Sequence, residues 1–149
     1  MKKKKRSDRL ALVQDITAKK RKEADQMLAQ SKARIQQGEA QLTQLKAFKD
    51  EYYKEFETVG RNGLTPAKID TYQAFITKLS LAIEQQVKAL ENNRKELAAV
   101  EQHWARCYAQ EQGMTKLVDK SREDELRLEE KRLQAALDER AQLTPPRPM

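Results

Sequence analysis

Apolar residues recur along the second half of this chain at alternating steps of three and four. Starting from Ile69 the positions run Tyr72, Ile76, Leu79, Ile83, Gln86, Leu90, Asn93, Leu97, Val100, Trp104, Cys107, Glu111, Met114 and Val118, and twelve of the fifteen are apolar. This is the 3.5-residue repeat of a coiled-coil seam. The first half carries a weaker version through Ala24, Leu28, Ser31, Ile35, Gly38, Leu42, Leu45, Lys49, Tyr52, Phe56 and Val59. Upstream, Leu10, Val13 and Ile16 continue an apolar face in a shifted phase.

Turn signals concentrate between the halves, at Gly60-Arg61-Asn62-Gly63-Leu64-Thr65-Pro66. Glycine and Asn-Gly permit positive φ where a helix stops. Thr65 followed by Pro66 reads as the cap and first residue of the next helix. The pattern predicts helix 1 over about 7–58, a turn over 59–65, helix 2 over 66–143 and a Pro-rich tail over 144–149. Gly38 and Gly113, alone in these helices, read as local weaknesses of about 1 kcal/mol against Ala.

Two seams joined by a short turn imply an all-α fold, a long two-helix antiparallel coiled coil in one domain, monomeric because the seams face each other within one chain. If Val59 and Pro66 flank the turn, facing residue numbers sum to about 125. Residue 8 then meets residue 117, and the second seam fades just past Val118. Beyond it the second helix overhangs without a partner, leaving Leu126, Leu128, Leu133 and Leu137 exposed.

Composition agrees. Of 149 residues 36% are charged and 38% hydrophobic, with four glycines and four prolines, too little apolar mass and too few turns for a barrel, sandwich or α/β core. No stretch approaches the ~18 apolar residues of a membrane span, and the basic start lacks the apolar region of a secretory signal. One cysteine, Cys107, fits a reducing cytoplasm. The net charge of +7 is unevenly placed: residues 1–22 hold ten Lys/Arg against Asp8 and Asp15, leaving the remainder at −1. This basic segment is open to three readings: a solubilising start, an electrostatic contact for nucleic acid or anionic lipid, and a dock for an acidic protein surface. No aromatic is interleaved with its lysines for base stacking.

Enzymatic chemistry finds no purchase. His103 and Cys107, four apart on one helix, offer neither cleft nor oxyanion hole. His103 is expected to be solvated and Cys107 packed in the seam. Metal ligands and a phosphate loop are missing, so the chain reads as a non-enzyme without cofactor or metal. Gln86 and Asn93 read as register-setting seam amides, Trp104 as a large core residue, and the run from Lys120 to Arg132 as a solvated face.

Six of the eight aromatics lie between 48 and 75: Phe48, Tyr52, Tyr53, Phe56, Tyr72 and Phe75. Phe48 and Phe75 flank the seam at nearly the same level, on stripes formed by Gln41, Leu45, Phe48, Tyr52 and by Phe75, Leu79, Ala82, Gln86. Two helices cannot cover their own flanks, and an exposed aromatic patch there is a partner site.

Asp50-Glu51-Tyr52, the Asn62-Gly63 turn, and Tyr72-Gln73-Ala74-Phe75-Ile76 through Leu79 to Ala82-Ile83-Glu84-Gln85 resemble the FliJ family of flagellar export proteins. Trp104, Leu117-Val118 and Lys131 through Asp138-Glu139 continue the likeness, which spans roughly residues 8–141 and leaves out the Lys2–Arg6 run. The resemblance implies a cytoplasmic component of the flagellar type III export apparatus, peripheral at the inner membrane. It implies a stalk that associates with the hexameric export ATPase, links it to the cytoplasmic domain of the membrane export gate and cycles export chaperones. On this reading the gate docks on Gln41, Leu45, Phe48, Tyr52, Phe75, Leu79, Ala82 and Gln86. The ATPase ring meets the terminal end, for which the basic segment and the uncovered leucines nominate Arg9, Lys19, Lys20, Arg21, Lys22, Leu126 and Leu133. Two alternatives stay open: an injectisome-type stalk, against which the turn region argues, and a basic coiled-coil adaptor for nucleic acid.

Overall fold

The computed structural model describes residues 4–143. They form two helices, α1 (Arg6–Arg61) and α2 (Pro66–Leu143), and no strand. Lys2 and Lys3 of the basic segment and the Pro-rich tail at 144–149 lie outside the described residues.

α1 outlasts its expected end at 58. Gly60 stays helical, and the last turn tightens through Asn62 N–H to Val59 C=O (3.1 Å) and Gly63 N–H to Gly60 C=O (3.3 Å). Gly63 is the stop, at φ 87°, a left-handed conformation that a side chain would strain. Thr65 caps α2 as expected. Its carbonyl accepts from the Lys68 and Ile69 amides at 3.1 Å each, and its Oγ1 from Lys68 N–H at 3.4 Å.

The helices run antiparallel as a hairpin and pack on each other in two compact units, Ala24–Trp104 and the terminal unit Met1–Glu23 with Ala105–Met149. In the first unit the heptad positions face inward as read. Ala24 and Leu90 are buried at 1% and 2% exposure, and Gly38 is buried opposite Leu90. Gly38 is a requirement here, not a weakness: a Cβ would lie 2.6 Å from Leu90 Cδ2. Its bare backbone also lets Gln86 Nε2 donate to Gly38 C=O at 3.1 Å. That bond ties Gln86 to one level of α1, as a register-setting amide would require. Half-buried Trp104 donates its indole N–H to Asp25 Oδ1 at 2.6 Å.

The terminal unit departs from expectation. Cys107 and Val118 are buried in its seam, but α1 faces them with Ser7, Leu10, Gln14, Thr17 and Arg21. The heptad phase runs through unbroken, so of the shifted face only Leu10 turns inward; Val13 and Ile16 are 41% and 54% exposed. Polar groups close this seam because each finds a hydrogen-bond partner: Thr17 Oγ1 donates to Gln14 C=O of its own helix at 2.8 Å, and the others reach across. Ser7 N–H and Oγ donate to the two carboxylate oxygens of Glu125 at 3.0 and 2.7 Å, Gln14 Nε2 donates to Thr115 Oγ1 at 3.1 Å, and the Arg21 guanidinium pairs with Glu111. The overhang accordingly begins after Glu125 rather than after Val118. Leu126, Leu128, Leu133 and Leu137 are exposed, as read.

The expected sum of 125 holds where Gly38 meets Gln86 and Tyr52 meets Tyr72, and fails at the terminal end, where it would set Ser7 opposite Val118 when its partner is Glu125. α1 runs on to Arg61, past its expected end at 58. Cα–Cβ bonds tilt toward each helix's own N-terminus. In an antiparallel pair, side chains that meet therefore come from backbone positions further along each helix.

Glu125 acts as a cap supplied from the other helix, satisfying an amide in the first turn of α1. The Ser7 hydroxyl, then the Ser7 amide, hold its carboxyl below the usual carboxylate range, with Lys5 and Arg122 adding smaller pulls in the same direction. A carboxyl so lowered stabilises the fold above its unfolded-state value, and that contribution disappears as pH falls through the folded value. The Ser7 amide should therefore lose its protection from hydrogen exchange on acidification through the low end of the carboxylate range. Glu125→Gln should lose part of it at neutral pH. Protection unchanged in both would show that the cap does not hold the α1 start.

Candidate functional site

The first candidate set, Gln41, Leu45, Phe48, Tyr52, Phe75, Leu79, Ala82 and Gln86, lies wholly in the Ala24–Trp104 unit and is brought to one flank. Phe75 stacks on Tyr52 with ring centres 4.3 Å apart and planes at 30°. Behind that pair Tyr72 sits between Tyr52 and Phe56, at 5.3 and 5.4 Å, and anchors the rings to the seam. Burial first, then the Glu55 carboxylate and Tyr52, push the Tyr72 phenol up, so it stays protonated at any physiological pH. Phe48, one turn before Tyr52 on α1, is 50% exposed, and Phe75 is 41% exposed despite its stack. Leu45, Leu79 and Ala82 are half-buried beneath them. At the far edge Gln86 Nε2 lies 3.3 Å from Gln41 Oε1, a polar rim beside the rings. The flank is thus a preformed apolar strip with one uncovered ring, one part-covered ring and an amide border. It suits recognition of a protein surface by aromatic anchors. Lys49, an expected seam position, keeps its ammonium 5.9 Å from the Tyr53 ring centre, a cation–π contact that spacing alone does not reveal.

The second candidate set belongs to the terminal unit, and the structure divides it. Arg9, Lys19, Lys20 and Lys22 are exposed on α1, as are Leu126 and Leu133, at 60% and 64%, on α2. Arg21 is not a surface cation. It is engaged by Glu111 inside the seam, with the side chains 26% and 19% exposed. What the sequence reading missed is a further exposed cluster, Leu12, Val13 and Ile16 on α1 with Leu117 on α2. Its signal is present in Val13 and Ile16, which continue the apolar face of α1 out of phase with the seam.

Cys107 is a buried thiol and His103 lies exposed on α2. Among the described residues no group of three His, Cys, Asp or Glu side chains is placed to hold a metal ion, and no helix is long and apolar enough to cross a membrane.

Two helices packed as an antiparallel hairpin, with no strand among the described residues, define an all-α coiled-coil protein. No curated protein and no solved structure matches the chain significantly. The profile of the flagellar FliJ protein matches residues 6–148, nearly the whole chain. The chain belongs to the FliJ family, and is a component of the flagellar protein export apparatus.

Proposed function

We propose that this protein is the non-enzymatic stalk of the flagellar type III export apparatus, coupling the export ATPase ring to the cytoplasmic domain of the membrane export gate. Cycling of export chaperones and residence at the cytoplasmic face of the inner membrane belong to the same reading. The observation that carries it is family membership over residues 6–148, and two unlike exposed surfaces, one in each unit of the hairpin, support it. The aromatic flank around Phe48 and Phe75 would receive the gate. Arg9, Lys19, Lys20, Lys22, Leu126 and Leu133 would meet the ring. Contacts to a ring of repeated subunits are individually weak and electrostatic, hence salt-sensitive.

The decisive assay measures ATP hydrolysis by the cognate export ATPase, and its hexamer assembly, with and without this protein. Stimulation is expected, and it should disappear when residues 1–22 and 119–149 are both removed. Stimulation that survives the double truncation would exclude the terminal unit as the ring contact.

A further inference from the structure

The two flanks of the terminal unit differ in a way the hairpin itself does not require. The Gln14–Thr115 hydrogen bond marks one of them. On that side α1 presents half-buried Ala11 and Ala18, and Asp8, Asp15 and Asp119 line its outer edge. The opposite flank carries exposed Val13 and Ile16 from α1 and Leu117 from α2, with Leu12 beside them. Helical spacing puts Arg9 and Lys20 above and below Val13 and Ile16 on α1, and Arg106 and Lys120 on either side of Leu117 on α2, all exposed. Between Asp8 and Lys20 one flank is acidic at its rim and the other is apolar with a basic rim; just beyond, Lys22 and Glu23 reverse the signs.

A third feature sits in the same place. Gly113, one turn before Leu117 on the same stripe, is a glycine inside a continuous helix, where it costs about 1 kcal/mol against Ala. Nothing within 4 Å would meet a Cβ there. Gly38, by contrast, is demanded by Leu90. Packing within this chain gives Gly113 no reason to be bare, whereas the close approach of another backbone does.

We propose that this flank is the docking groove for a third helix, an amphipathic segment of a partner protein with an apolar stripe edged by Asp and Glu. The apolar stripe would cover Val13, Ile16 and Leu117, its backbone would approach over Gly113, and its acidic edges would face Arg9, Lys20, Arg106 and Lys120. At ~1.5 Å per residue, Arg9 to Lys20 spans roughly 16 Å, or three turns of the incoming helix. A third helix in the angle between two others extends the same side-chain interdigitation that joins α1 to α2. A bilayer is the poorer occupant: it favours a broad convex apolar face, and it has no use for a notch at Gly113.

The probe is a fluorescein-labelled synthetic helix of three heptads, with Leu at the two seam positions and Glu at the flanking ones, titrated against the full-length protein by anisotropy. Binding should weaken roughly tenfold or more as salt rises from about 50 mM to about 300 mM. It should also weaken at least about tenfold in a Val13→Ser, Leu117→Ser double variant and in Gly113→Leu, both retaining full helicity because these positions are exposed. A variant with Asp15→Lys and Asp119→Lys on the other flank should bind as well as the parent. Absence of binding, equal binding of a peptide with Lys in place of Glu, or undiminished binding by Gly113→Leu would overturn the proposal. So would cosedimentation with phosphatidylserine–phosphatidylcholine vesicles that the Val13→Ser, Leu117→Ser variant loses, since that assigns the flank to lipid. Arg9 and Lys20 also belong to the proposed ring contact, but no ATPase enters this assay. Its failure therefore leaves that contact standing, and the reverse holds.

Discussion

Phe48→Ala is expected to weaken binding to the export gate's cytoplasmic domain by about 2 kcal/mol, some thirtyfold, while changing stability by no more than about 0.5 kcal/mol. The asymmetry follows from exposure. Half of Phe48 faces solvent, so truncation removes little buried surface from the free protein, yet in a complex the ring would be desolvated. Phe75→Ala should cost the same affinity with a clearer loss of stability, about 1 kcal/mol, because Phe75 stacks on Tyr52 at 4.3 Å. Thermal melts monitored by helicity, alongside calorimetric titration of the gate domain and a swimming assay, separate the two effects. Unchanged affinity per folded molecule in both variants would remove the gate from this flank.

The second large effect lies at Gly38 and Leu90. Leu90 is 2% exposed, and Leu90→Ala should destabilise the protein by about 2–4 kcal/mol through lost transfer energy and the cavity left in the seam. Gly38→Ala reverses the usual rule for a helical glycine. Propensity alone would stabilise by about 1 kcal/mol, but the new methyl would stand 2.6 Å from Leu90 Cδ2 and 3.3 Å from Gln86 Nε2. Overpacking of this kind costs about 1–3 kcal/mol, and displacing Gln86 endangers its bond to the Gly38 carbonyl. A net loss near 1 kcal/mol is expected. The double variant supplies the sharper test: with Leu90 truncated the methyl enters vacated space, so Gly38→Ala should turn stabilising. Additive denaturation free energies would show that the two residues do not share one site.

The aromatic flank was legible because it needs only spacing. Gln41, Leu45, Phe48 and Tyr52 recur at helical steps, as do Phe75, Leu79, Ala82 and Gln86, and any α-helix brings each set to one stripe. The face-to-face stack of Tyr52 on Phe75 was not legible, since it depends on register between helices. The basic residues were found by charge counting, but charge counting could not tell that Arg21 is taken up by Glu111. Nor could apolarity locate the terminal seam. Leu12, Val13 and Ile16 look like its members and lie outside it, while Ser7, Gln14 and Thr17 look like surface and lie within it.

The division follows the range of the forces involved. Helix content, the turn and the seam phase of both helices from Ala24 onward come from local propensity and a 3.5-residue repeat, which neighbouring residues specify together. All fifteen α2 positions from Ile69 to Val118 are buried or half-buried, polar Gln86, Asn93 and Glu111 among them. Register, the Gly38–Leu90 contact and the pairing of Ser7 with Glu125 depend on residues distant in the chain. A polar side chain enters a seam when a hydrogen-bond partner replaces the lost water, and for Ser7, Gln14 and Arg21 that partner lies across it. That partner is set by how side chains lean along two opposed helices, which no short stretch of sequence contains.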